Sequence, residues 1–228
     1  MTAAGVRALA RKYFESIPAQ PAPPAVDVTE TPQTSERRLS LEDPLARLPR
    51  LDVSYRVPSD LSADGDAVDV LSLVLSSGRS SRFYENVVRQ KQLAVNLNAF
   101  APSSRGPRLL RIIATPTPGK SVEELEAAIE AEIGRVQSGP IADWEMDKAR
   151  NTAQRQLVSG LGQSLSRAIQ LAEYALVYND PGRINTAYER LAKVTAADVQ
   201  RVAKQYLTPG SRSVIVTRPA PPAPKGGL

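Results

Sequence analysis

The residues best equipped for chemistry lie at 76–94, SSGRSSRFYENVVRQKQLA, where seven hydroxyl, guanidinium or phenol groups fall within nine residues. Such a cluster suits a loop that meets phosphate or nucleic acid, or one that holds an acidic partner or a peptide. The chain contains no histidine and no cysteine. A Ser-His-Asp or Cys-His relay and a zinc site of His/Cys type are thereby excluded, because their bases and ligands are missing. The G119-K-S121 tripeptide ends like a phosphate-binding loop, yet Pro116 and Pro118 have no N–H to offer and Ala114 stands where the first glycine belongs. It reads better as a turn with Ser121 capping a helix. No serine precedes a lysine by three residues, and the carboxylate pairs Glu123/Glu124 and Glu145/Asp147 fall in first turns of helices, where the dipole favours acids. Alone, this chain is a poor enzyme.

Composition is that of a soluble globular protein, 42% hydrophobic and 23% charged over 228 residues, enough for one domain with appendages. No apolar run approaches the ~20 residues that span a bilayer, and MTAAGVRALARKYF shows no secretory pattern. Net charge is +5. Arg79, Arg82, Arg89, Lys91, Arg105, Arg108 and Arg111 face one acid, Glu85, so 79–111 carries +6 and the remainder −1. A solvated face or carbonyl-bound arginines explain this, as does a surface for an acidic partner. No recognised module accompanies the patch, so nucleic acid is not an expected partner, and neither is a membrane.

Several elements must position this segment. Val6, Leu9, Tyr13 and Ile17 recur at helical steps and place a terminal helix at 1–17. A Pro-rich linker follows at 18–35, a folded domain at 36–218 and a disordered tail at 219–228. Within the domain, strands are expected around Leu39 and Leu41, at Leu51–Val57, at Leu93–Ala99, at 108–115 and at 212–217. Leu93, Val95, Leu97 and Ala99 should share one face of the third. Helices are expected at 66–75, capped by Asp64 or Asp66, and at 81–90, with Ser80 or Ser81 as cap and Gly78 breaking the chain between them. Four more follow: one led by the capping box S121-V-E-E, one from Asp143, one at 165–178, and one capped by Thr195. The order β-β-α-α-β-β-α-α-α-α-β predicts an α+β fold, an antiparallel sheet with helices packed on one face.

With these elements in place, S77-G-R-S-S-R-F-Y-E-N-V-V-R-Q-K-Q-L-A94 resembles the C-terminal half of pitrilysin/insulinase-type (inverzincin) zinc metallopeptidases, including bacterial members and mitochondrial processing peptidase. V6-R-A-L-A-R-K-Y-F14 is similar to the helix closing that family's first half, L48-P-R-L-D-V-S-Y55 to the strand opening its second, and V194-T-A-A-D-V-Q-R-V-A-K-Q-Y-L207 to its final helix. The resemblance implies two similar α+β halves around a chamber. The first half would supply H-x-x-E-H and zinc; the second would help hold the peptide. It implies no cofactor in this chain, zinc in a preceding N-terminal half, a peptide substrate, and a homo- or heterodimer. The peptide-holding candidates are Arg79, Arg82, Tyr84 and Arg89. Val88 and Val95 stand where some members carry an Arg/Tyr pair, with Arg89 one position away, which leaves open whether the parent is a zinc-bearing or a pseudo-peptidase subunit. The alternative function is a non-catalytic scaffold of the same fold. Compartment stays open: a cysteine-free chain suits the cytoplasm and equally a periplasmic or secreted parent.

Overall fold

A computed structural model describes residues 2–21, 23, 24, 27, 29, 31–104 and 106–221. The chain divides into two compact units, 1–30 and 31–228. In the first, helix α1 (Ala3–Phe14) begins where the Thr2 hydroxyl accepts the Gly5 N–H at 3.2 Å. It lies within 1–17 and ends before Ile17, and none of its residues is buried. The described linker residues form neither helix nor strand, and the expected tail lies largely outside the described residues.

In the second unit five strands form one sheet in the order β1 (Arg37–Asp43), β5 (Arg212–Pro219), β2 (Arg50–Val57), β4 (Arg108–Pro116), β3 (Ala94–Phe100). Three pairings are antiparallel, as expected; edge strand β1 runs parallel to β5, with Leu39 opposite Ile215. Period-two patterning drives the sheet. Val53 aligns with Ile112 and Val214, and these residues are buried on the helical side. Leu39, Leu109 and Ile215 stay exposed.

Helices α2 (Gly65–Ser76), α3 (Val122–Ser138) and α7 (Ala196–Tyr206) share the core with that buried face. Helix α3 has the expected capping box: the Ser121 hydroxyl accepts the Glu124 N–H at 3.1 Å and the Glu124 carboxylate accepts the Ser121 N–H at 3.0 Å. Thr195 and Asp198 repeat the arrangement on α7. Asp64 occupies the N-cap position of α2, but its carboxylate turns away to α7, accepting from Arg201 and from the Tyr206 hydroxyl, each at 2.7 Å. Helices α4 (Asp143–Gly162), α5 (Ser164–Val177) and α6 (Arg183–Lys193) form an outer layer. Helix α6 has no counterpart among the expected elements.

Two local departures matter for the basic segment. Gly78 has φ +73°, a left-handed turn open to glycine at no steric cost, and the helix after it, Phe83–Gln90, is π-helical, so Lys91 N–H reaches back to Asn86 O at 3.3 Å. A β-bulge between Ala94 and Asn96 then shifts the register. One extra residue reverses facing, so Val95 is exposed while Leu97 and Ala99 point inward, correcting the regular alternation expected there.

Candidate functional site

The four candidate residues do not converge on one site. Gly78 ends the turn, and the Ser81 hydroxyl donates to its carbonyl at 2.8 Å, fixing the entry to the π-helical segment. Arg82 projects from that entry against the start of α4. Its Nε and Nη2 donate to the two oxygens of Glu145 at 2.7 and 2.8 Å, and Nη2 also donates to Pro140 O at 2.9 Å. Burial works against the charge on Glu145, but this two-pronged pair and the Ala142 N–H outweigh it and hold the carboxyl below its usual range. Arg82 therefore fastens two elements together. Arg79 and Tyr84 meet at the surface, the Arg79 Nε 3.1 Å from the Tyr84 hydroxyl and its guanidinium carbon 5.7 Å from the ring centre. Arg89 pairs with Glu85 one turn away.

The apparent +6 patch is likewise broken up. Arg108 is only 4% exposed, and its guanidinium donates to Gly65 O at 2.8 Å and to Pro58 O and Ala101 O at 3.2 Å, with Asp69 2.8 Å away. This is a core fastener, not surface charge. Arg111 lies over Phe100, its guanidinium carbon 5.8 Å from the ring centre, and Arg105 falls outside the described residues. The distribution gives no support to a nucleic-acid surface.

A site that sequence reasoning missed lies on the other side of α2. A cavity of about 540 Å³ opens between α2, the C-terminal end of β3, and helices α4, α5 and α6. Its floor includes Leu73, Leu157 and Leu191; its walls carry Asp60, Asp66 and Asp69 from α2 and the turn before it, and Tyr178, Arg183 and Arg190 from α5, α6 and their connection. Gly65 permits the close turn that brings in Asp60: a Cβ at position 65 would lie 2.6 Å from the Asp60 Cα. The Tyr178 hydroxyl donates to the Asp60 carboxylate, and burial together with that bond pushes the phenol up to about 12. Burial also raises the Asp69 carboxyl to about 6, against the pull of Arg108. The only sequence signal was that Asp66, Asp69 and Leu73 share one stripe of α2; the opposing wall comes from a hundred residues further on.

The chain has no imidazole or thiolate, and among the described residues no three carboxylates converge to hold a metal ion. Zinc therefore has no fitting donor set among them. No described helix is long and apolar enough to cross a membrane.

Comparison with known proteins accords with this chemistry. The family model of the peptidase M16 inactive domain matches residues 1–153. The zinc protease PqqE of Helicobacter pylori is 26% identical over 213 residues, covering 92% of this chain and 48% of the relative. The crystal structure of a protease from Helicobacter pylori superposes with a TM-score of 0.87 at 25% identity, over 96% of this chain and 53% of that one. A peptidase M16 inactive domain from Pseudomonas fluorescens shares the fold, with a TM-score of 0.77 at 14% identity over 98% of this chain and 53% of that one. The chain spans about half the length of each of these relatives. Fold, missing zinc donors and family match converge: this chain belongs to the peptidase M16 inactive-domain family.

Proposed function

We propose that the chain is the C-terminal, non-zinc-binding half of a zinc-dependent metalloendopeptidase, forming one wall of a chamber in which a peptide is hydrolysed, and inactive by itself. The observation that carries this reading is the match to the inactive domain of zinc proteases by a chain devoid of histidine and cysteine. Zinc, its ligands and the general base belong on this view to an N-terminal half, which is the expected partner within the same protein, with dimerisation of the parent as a further expectation. This half contributes shape and peptide contacts. Arg79 and Tyr84, side by side at the surface, are the candidates of the basic segment left to meet a peptide, since Arg82 is engaged with Glu145. Exposed Arg89 is a weaker candidate because Glu85 already neutralises it.

The test is reconstitution. The 228-residue chain with added zinc should hydrolyse no peptide, and the parent containing both halves should do so in a chelator-sensitive manner. Zinc-dependent hydrolysis by this chain alone would overturn the proposal. A parent that carries no H-x-x-E-H and remains inert would instead make the chain a scaffold subunit of the same fold; Val88 and Val95, standing where some members carry an Arg/Tyr pair, fit either outcome.

A further inference from the structure

The cavity between α2 and the outer helices has an imbalance of hydrogen-bonding groups that points to a ligand. The charges of its cationic side chains are matched within the wall. Arg183 Nη2 donates to Asp60 O at 3.0 Å, with its guanidinium carbon 5.3 Å from the centre of the Tyr178 ring. Arg190 Nη1 donates to Thr186 Oγ1 at 2.8 Å and Arg183 O at 3.3 Å; its Nε has no hydrogen-bond partner among the described residues but stands 3.4 Å from Asp66 Oδ2, so its charge is matched within the wall. Two serine protons of the lining are committed too: Ser72 Oγ donates to Asp69 O and Ser76 Oγ to Ala99 O, each at 2.8 Å. What remains on these hydroxyls is acceptor capacity.

Acceptors are left over elsewhere on the lining. Asp60 Oδ2 takes the Tyr178 proton, but Asp60 Oδ1 has no hydrogen-bond partner among the described residues, and neither has Gln170 Oε1. A buried carboxylate oxygen without a donor is costly. The cavity is of the size that takes an amino-acid side chain or a small ligand, and Leu73, Leu157 and Leu191 offer an apolar stem-binding surface below those acceptors. A group that supplies several N–H donors and positive charge at the end of an aliphatic stem satisfies both features.

We propose that this cavity binds a donor-rich cation on an aliphatic stem, the guanidinium or ammonium of a basic side chain, with Asp60 as the principal anchor and Gln170 as a second acceptor. That the side chain belongs to a peptide rests on the function proposed above; the preference for a cation does not. Apolar stem and ionic head are both needed, so neutral and acidic analogues of the same length bind more weakly.

The test is an NMR titration of the 228-residue chain with N-acetyl-argininamide, N-acetyl-norleucinamide and the N-acetyl-glutamate amide. The arginine probe should bind saturably and shift amides of α2, α5 and α6, with the norleucine and glutamate probes at least about tenfold weaker. Asp60→Asn should weaken the arginine probe by about tenfold and Gln170→Leu by less, while Glu85→Gln, on the surface outside the cavity, should leave it unchanged. Should Asp60→Asn fail to fold, as judged by far-UV dichroism, Gln170→Leu and a fall in affinity with salt carry the test. Equal binding of the arginine and norleucine probes, no saturable binding, or affinity indifferent to both variants would overturn the proposal. Peptide hydrolysis by the two-half parent is a separate readout: its absence with probe binding intact sinks the peptidase reading alone, and its presence without probe binding sinks the cavity alone.

Discussion

Helices α3 and α5 both carry aliphatic residues at helical spacing, Leu125, Ile129 and Ile133 on one and Leu165, Ile169 and Leu176 on the other, yet their fates differ. On α3 these side chains are buried in the core with β2 and α7; Ile129 is 1% exposed. Helix α5 buries no residue, touches α4 and α6, and leaves Ile169 57% exposed. Periodicity announces an apolar face, but only a facing partner turns that face into stability. The molecule thus has a tightly packed layer on the sheet and a looser outer layer, and the polar cavity lies at the join between them.

The largest expected effect is on the packed side of that join. Arg108→Met would leave three carbonyls and the partly exposed Asp69 carboxylate without their donor, a loss of about 3–5 kcal/mol in urea denaturation, because each buried acceptor left unsatisfied costs about 1–3 kcal/mol. A loss below about 1 kcal/mol would mean that the join is already wet, and would erase the contrast between the layers. The matched isoleucines test the contrast directly. Ile129→Ala should cost about 2–5 kcal/mol through transfer and cavity terms, and Ile169→Ala at most about 0.5 kcal/mol. Equal losses at the two positions would show that α5 is covered in solution. Arg82→Ala falls between them, at about 1.5–3 kcal/mol, because it removes a two-pronged, mostly buried pair with Glu145 that holds α4 to the π-helical segment. A variant stable as wild type but impaired in peptide hydrolysis by the parent would instead return Arg82 to the substrate.

The packed layer was largely legible in the sequence and the outer layer was not, for physical reasons. Val53, Tyr55 and Val57 alternate because one face of β2 is buried, and Ser121 with Glu124 forms a local box, so neighbours in sequence sufficed. Helix α6 went unread although Ile184, Ala187 and Leu191 step along one face, because the N179-D-P-G182 turn and the polar Arg183, Asn185 and Thr186 masked a short amphipathic pattern. The bulge at Val95 depends on hydrogen-bond register with β4, which no single strand encodes. The parallel placement of β1 is set by β5, more than 170 residues later. Arg108 looked like one of a run of exposed cations because charge counting cannot see the carbonyls of Pro58, Gly65 and Ala101 converging on it. The cavity had no motif at all: its acids precede or lie on α2, and its tyrosines and arginines come from α5, α6 and the turn between them.

The smallest effect concerns Asp69, whose carboxyl lines that cavity. Arg108 from β4 faces it, as do the charges of Asp66 on α2 and Asp60 from the preceding turn, and burial wins over Arg108 to set its value at about 6 against an ordinary 3.8. Between those two values the folded chain binds a proton that the unfolded chain has lost. The contribution of Asp69 is therefore present at and below about pH 4 and declines as pH rises to 6, the reverse of the contribution of Glu145, whose lowered value adds stability that is lost on acidification. Wild type should thus lose stability relative to Asp69→Asn from pH 4 to 6 and run parallel to it above, in melting curves taken at half-unit steps. The slope should be modest, since 37% of the side chain is accessible and solvent in the cavity screens it. Parallel curves throughout would mean that water in the cavity solvates Asp69 as bulk solvent would, which would place it electrically with the exposed face of α5 rather than with the core behind Arg108.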